Sequence, residues 1–224
     1  MRLIDEILSK ENLNQAYKRV VSNKGSAGID GVNVGKLKDH LKINGGQIRK
    51  SILERTYKPS AVKRVYIPKG KDSVRPLGIP TAMDRVIQQA ISQKLSAIYE
   101  PIFSESSYGF RPRRSTHMAI DKVVEYLNDG YEWVIDIDIE KLFDTVNHDK
   151  LIQVLRLEVK DSTTLNLIRK YLKAGVMEKG VFGKTDIGTP QGGPISPILS
   201  NILLTNSIKK WKREEDYLSV TLMM

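Results

Sequence analysis

One stretch constrains this chain more than any other: YEWVIDIDIEKLFDTVNHDKL, residues 131–151. On an extended chain successive side chains point to opposite faces. Asp136 and Asp138 therefore share one face, and Ile135, Ile137 and Ile139 share the other. The alternation predicts a strand with one apolar side and one acidic side. Two carboxylates on one face repel, and an apolar setting would raise the pKa of at least one. A divalent cation resolves the conflict, and magnesium takes one or two carboxylates together with substrate phosphates. A solvated acidic face on an exposed edge strand would give the same alternation.

The rest of the chain narrows the choice. Its 224 residues suffice for one large domain or two smaller ones, and 40% hydrophobic content suffices for a core. There is no cysteine, which excludes disulfides and thiolate metal sites, and only His40, His117 and His148 could serve a zinc site. The first twenty residues form an amphipathic pattern broken by charge. They lack the apolar run of a signal peptide, and no segment is long enough to span a bilayer, so a soluble, cytoplasmic protein with no membrane partner is expected. The formal charge of +10 favours an anionic partner, nucleic acid being the commonest. A merely basic soluble protein would carry the same charge.

Periodicity places the elements. A helix is expected over residues 3–21, followed by a loop, SNKGSAGIDGVN. A second helical stretch follows, interrupted at Gly45-Gly46. Between Tyr57 and Pro80, Val62, Arg64 and Tyr66 alternate with Lys63, Val65 and Ile67, and KGKD supplies a turn. That is a hairpin signature with its second arm over residues 74–79. Val86, Ile87, Ala90, Ile91, Leu95 and Ile98 recur at helical spacing, and Pro101 ends that helix. A helix from about Thr116 carries Ala119, Ile120, Val123, Val124 and Leu127 on its apolar side and stops at Asn128-Asp129-Gly130. Helices over 148–157 and 162–174 and short strands over 175–187 complete the pattern. The order is no regular βαβ series, so a mixed α/β (α+β) architecture is expected.

Three further motifs carry chemistry. In GTPQGGPISPILSNILL, Gly192 and Gly193 let backbone approach a ligand closely. Ser196 and Pro197 suit the start of the following helix. A glycine loop feeding a helix N-terminus suits phosphate or sugar contact, with the Gln191 amide at its mouth; a tight turn before a core helix is the plain alternative. The hairpin carries Lys63, Arg64, Lys69, Lys71 and Arg75, and SYGFRPRRS sets Arg111, Arg113 and Arg114 beside Tyr108 and Phe110. Cations interleaved with aromatics suit a single-stranded nucleic acid, though a solvated charged face looks alike. Phe143, beside Asp144, either walls a bound nucleotide or packs in the ordinary way.

Taken in order, RPLGIPTAMDRVIQQAI, SYGFRPRRSTHMAI, VIDIDIEKLFDTVNHDKL and GTPQGGPISPILSNILL closely resemble successive blocks of reverse transcriptases. NKGSAGIDGV resembles the N-terminal extension of bacterial group II intron-encoded reverse transcriptases (maturases). The resemblance covers nearly all of residues 1–204 and implies a right-hand polymerase fold. Fingers would occupy residues 1–125 and part of a palm, with some fingers elements, residues 126–204. The thumb would be absent. It implies RNA-directed DNA synthesis by attack of a primer 3′-hydroxyl on an α-phosphate, assisted by two magnesium ions about 3.5–4 Å apart. By the same resemblance Asp138 is the catalytic metal ligand, with the Ile139 backbone carbonyl and Asp136 as neighbours. Phe143 is the gate against a 2′-hydroxyl, and Gln191 and Gly192 line the nucleotide. Lys69 and Arg75 hold its triphosphate; Lys63, Arg64, Arg111, Arg113 and Arg114 track the template. Partners would be group II intron RNA, an RNA template with DNA primer, and dNTP. Retron or diversity-generating reverse transcriptases lack the N-terminal extension, and a non-catalytic RNA-binding fragment is the other alternative.

The resemblance stops at Leu204. A reverse-transcriptase palm needs a Tyr-Ala-Asp-Asp hairpin, and TNSIKKWKREEDYLSVTLMM does not contain it. The expectation is an inactive, truncated chain whose residues 205–224 are read out of frame. Back-translated from the third base of the Leu204 codon, this tail accommodates Asn-Glu-Leu-Asp-Lys-Glu-Met-Glu-Lys, and its end accommodates Val-Arg-Tyr-Ala-Asp-Asp. Codon degeneracy leaves most positions free. Three are forced: Met223-Met224 yields Asp, Asp216-Tyr217 yields Leu, and Trp211-Lys212 yields Glu. Sequencing the gene should reveal Tyr-Ala-Asp-Asp in the neighbouring frame beneath LSVTLMM; nucleotides that do not encode it would remove the frameshift.

Overall fold

The computed structural model describes the chain apart from residues 70–72, 138, 140–141, 189–191 and 215–224, and apart from the side chains of residues 206–214. Asp138, Gln191 and Lys71 thus lie outside the described residues.

The helix with the cleanest spacing is the axis of the molecule. It is numbered α4 and runs Ala82–Tyr99, capped by Thr81, whose side chain accepts from the Asp84 N–H at 3.1 Å. Val86, Ile87, Ala90, Ile91 and Leu95 are all buried along it. Helices α1 (Leu3–Ile7), α2 (Lys10–Ser22) and α3 (Leu37–Leu53) pack on it. The single helix expected over 3–21 is in fact two. Ser9 adopts extended backbone and caps α2 by accepting from the Asn12 N–H, so the chain turns where a good N-cap residue stands. Asn12 then donates to the carbonyls of Ile7 at 2.9 Å and Ala90 at 3.0 Å, fastening both helices to α4. The opposite correction applies to α3, which runs unbroken through Gly45-Gly46. Each glycine costs about 1 kcal/mol there, and burial of Leu37 and Ile52 at the two ends outweighs it.

The sheet has four strands in the order β2-β1-β3-β4. Strands β1 (Val62–Pro68) and β2 (Val74–Ile79) form the expected antiparallel hairpin, with Lys63 opposite Ile79 and Ile67 opposite Arg75. β3 (Val176–Glu178) joins β1 in parallel, and β4 (Val181–Gly183) returns antiparallel to β3. A parallel pair needs a long crossover. Here that crossover holds α4, α5 (Thr116–Asn128), α6 (Leu142–Thr145), α7 (His148–Glu158) and α8 (Ser162–Leu172). Helix α9 (Ser196–Glu214) follows and buries Ile198, Leu199 and Ile202 in the same core. Among the described residues no helix is long and apolar enough to cross a membrane.

The acidic segment departs from expectation. Residues 131–137 and 139 carry no strand, and the sheet contains none of them. Ile135 is 74% exposed on one face and Val134 73% on the other, so neither face is covered. Alternation specifies faces, but a strand also needs a neighbour for its N–H and C=O groups. Helix α5, just upstream, repeats this: of its apolar side only Ala119 is buried, while Ile120, Val124 and Leu127 are about half exposed.

One buried group ties sheet to helices. Asp84, 1% exposed, accepts from the hydroxyls of Tyr57 at 2.6 Å, Thr81 at 2.7 Å and Tyr171 at 3.1 Å. It also accepts from the Ser60 N–H at 3.2 Å. Tyr57 and Ser60 lead into β1, and Tyr171 ends α8 just before β3. Burial raises the Asp84 carboxyl above its usual range, against the pull of these donors, and the two tyrosine hydroxyls are pushed up by burial and by the carboxylate beside them.

Replacing Asp84 with Ala strands three hydroxyls and one N–H, and should cost about 3 kcal/mol in urea unfolding. Because the folded value is raised, the native state holds this proton to higher pH than the unfolded chain. The stability of wild type relative to Asp84→Asn should therefore be greatest in acid and fall as pH rises through the raised folded value. Urea midpoints measured across that range check the sign.

Candidate active site

The site is built around both ends of the glycine loop. At its start Gly188 is buried, with φ +89°. Its N–H donates to the Val146 carbonyl at 2.8 Å. Its own carbonyl lies 2.6 Å from His148 Nε2. A Cβ at this position would stand 2.8 Å from the carbonyl oxygens of Phe143 and Asp144. Only glycine fits so close to backbone in that conformation. The turn that carries Phe143 and the start of the glycine loop are interlocked at this point. Asn147 helps to set the turn, capping α7 by accepting from the Lys150 N–H at 3.0 Å.

At the far end Gly192 has φ +111°, and a Cβ there would lie 2.5 Å from the Gly78 carbonyl oxygen and 3.0 Å from Leu77 Cδ1. Gly193 is seated on α4, where a Cβ would lie 2.5 Å from Gln88 Oε1. The close approach made by these glycines is thus to the protein's own β2 and α4. Helix α9 begins directly afterwards, and its Asn201 donates to the Gly109 carbonyl at 2.9 Å, reaching the SYGFRPRRS loop. One loop consequently joins the aromatic turn, the basic hairpin and the basic-aromatic loop.

An open groove of about 630 Å³ runs beside it, lined by Arg64, Phe143, Asp144, Glu178, Lys184 and Gly188 among others. Phe143 is half-buried at its wall. The hairpin register sorts the basic residues. Directly paired residues share a face, so Lys63 stands with Arg75 on one face and Arg64 with Tyr66 on the other. Tyr66 donates to Glu178 at 2.7 Å across β3. Lys69 is exposed where β1 ends, its N–H donating to the Ser73 carbonyl at 2.7 Å.

Arg111 corrects an expectation. Its guanidinium is buried, not presented to solvent. It donates to Glu100 Oε1 at 2.8 Å and to the carbonyls of Ser104 at 2.6 Å and Ser107 at 2.8 Å, over the Phe103 ring. A buried cation needs such partners, and this one holds the loop's shape. Arg113 stays exposed with φ +60°. Arg114 lies over the Tyr108 ring and donates to the Glu105 carbonyl. Asp136 is exposed, as is Ile139 at 41%. Among the described residues no three His, Cys, Asp or Glu side chains converge as metal ligands. His148 and Gly188 were not expected in the site. The available signal was NHD, a capping Asn followed by a His in the first turn of a helix.

The model of the family described as "Reverse transcriptase (RNA-dependent DNA polymerase)" matches residues 67–223. The chain belongs to the reverse transcriptase family. It is 41% identical to protein YkfC of Escherichia coli K12 over 97% of its own length and 58% of that protein's. It is likewise 41% identical to the group II intron-encoded protein LtrA of Lactococcus lactis subsp. cremoris, over 91% of this chain and 34% of LtrA. The chain thus spans between about a third and three-fifths of these relatives. Its fold matches a chain of a partial Cas6-RT-Cas1–Cas2 complex with a TM-score of 0.64 at 24% identity, over 95% of this chain and 35% of that one. In this member of the family, the motif blocks that carry Leu77, Gln88 and Phe143 meet at the two ends of the glycine loop.

Two glycines at positive φ, one in open space and one crowded, can be compared. Gly180 has φ +84° and open space around its missing Cβ, so Gly180→Ala should cost about 1 kcal/mol. Gly192→Ala adds a collision with the Gly78 carbonyl and should cost about 2–3 kcal/mol. Denaturant unfolding of the two variants compares them directly.

Proposed function

We propose that this chain is the nucleotide- and template-holding part of an RNA-directed DNA polymerase encoded by a group II intron. The intact protein would copy intron RNA into DNA and bind that RNA as a splicing maturase. The glycine loop carries this reading: Gly188 interlocks with the Phe143 turn, and Gly192 rests on the strand that begins near Arg75. Identity with LtrA over most of the chain supports the intron type. In the proposal Phe143 screens the sugar, Gln191 and Gly192 line the base and sugar, and Lys69 and Arg75 take the triphosphate. Lys63, Arg64, Arg113 and Arg114 follow the template, while Arg111 holds the loop that presents the last two.

The resemblance implies two magnesium ions, and reverse transcriptases in general use divalent metals. The described residues do not fit such a pair. Asp136 stands exposed on a segment with no ladder partner, and no convergent donor set accompanies it. Asp138 remains the proposed ligand. A second reading for the 224-residue chain itself rests on its sequence, which contains no Tyr-Ala-Asp-Asp: it binds RNA and does not synthesise DNA.

Primer extension on an RNA template with DNA primer, dNTP and magnesium should yield no product from this chain. RNA binding should persist and weaken with salt, and Arg113→Ala with Arg114→Ala should reduce the log–log salt slope by about 1–2. Magnesium-dependent synthesis would overturn the non-catalytic reading. RNA affinity indifferent to salt and to these two arginines would overturn the template assignment.

A further inference from the structure

Gly188 makes three contacts with the turn that follows the acidic segment, and one of them comes from a side chain nothing else in the site employs. His148 is 4% exposed and is the first residue of α7. Its Nε2 lies 2.6 Å from the Gly188 carbonyl oxygen. A carbonyl only accepts, so Nε2 carries the proton. Among the described residues Nδ1 has no partner. The Gly188 carbonyl is buried, and an unpaired buried acceptor is costly.

We propose that His148 is a positioning residue: its Nε2–H pins the start of the glycine loop to the aromatic turn and so fixes the spacing between Phe143 and Gly188. The functional meaning of that spacing rests on the nucleotide-pocket reading above; the pin itself does not. His148 acts through Gly188, and Val146 completes the pin from the other side by accepting the Gly188 N–H. Anchored at Gly188 by His148 and at Gly193 by contact with Gln88, the loop has both ends fixed to different elements.

The variants follow from geometry. Gln places an amide N–H about where imidazole Nε2 sits, whereas Phe keeps the ring's bulk and removes the donor. Amide hydrogen exchange at Gly188, Gly192 and Gly193 is measured in the 224-residue chain without nucleotide, with the buried half of α4 as reference. His148→Phe should speed exchange at the loop amides by about tenfold with α4 unchanged, and His148→Gln should restore protection to near wild type. Equal protection in all three proteins would overturn the proposal. So would equal loss in both variants, and so would acceleration extending uniformly to α4, which marks a merely structural residue. Because no nucleotide is present, failure of the pin and failure of the nucleotide-pocket reading are seen separately.

Discussion

A buried carboxylate with four donors fixes three separated parts of this chain at once. Asp84 sits in the first turn of α4 and receives Tyr57 and Ser60 from the entry to β1, Thr81 from its own cap, and Tyr171 from the end of α8. β1 and β3 are therefore tethered, at their bases, to the same point on the central helix. The parallel pairing of Val62 with Val176 depends on those two entries being held side by side. Burying a carboxyl is costly, and the raised pKa records that cost. Four hydrogen bonds offset it and confer what an apolar contact could not: a defined geometry for three chain ends.

Everything in the candidate site hangs from that frame. α4 supplies Gln88 under Gly193, β2 supplies Gly78 under Gly192, and the turn before α7 grips Gly188. The NKGSAGIDGV segment belongs to the same frame. A Cβ on Gly28 would lie 2.7 Å from the Thr81 Cα, and Arg85 donates to the Ser26 carbonyl at 2.8 Å. This extension is packed against the start of α4, next to the Asp84 node. The motifs that identify a reverse transcriptase are thus largely motifs of contact between segments.

Much of this was legible in the sequence, for definable reasons. The period-3.6 spacing from Val86 to Ile98 reports burial directly, the alternation of residues 62–67 marks a strand, and both elements are where they were expected. The glycine loop was recognisable, although its glycines approach the protein's own backbone. Four features were not legible. Ser9 ends one helix and starts the next because its hydroxyl finds an N–H, which amphipathic spacing does not reveal. Arg111 lies among exposed arginines in sequence, yet pairs with Glu100, eleven positions upstream. Residues 131–137 alternate as a strand should but have no strand beside them, and pairing is a property of two segments. His148 was counted only as one of three histidines, because its partner lies 40 residues away.

The central claim is that the Phe143 turn and the glycine loop form one nucleotide-binding wall. Photo-crosslinking tests it most directly, using a dNTP analogue carrying its reactive group on the base, in the presence of RNA template and DNA primer. Adducts are mapped by peptide mass spectrometry. The account predicts adducts at Phe143 and within residues 188–193, competed by unmodified dNTP. Adducts confined to other surfaces, or not competed by dNTP, would contradict it.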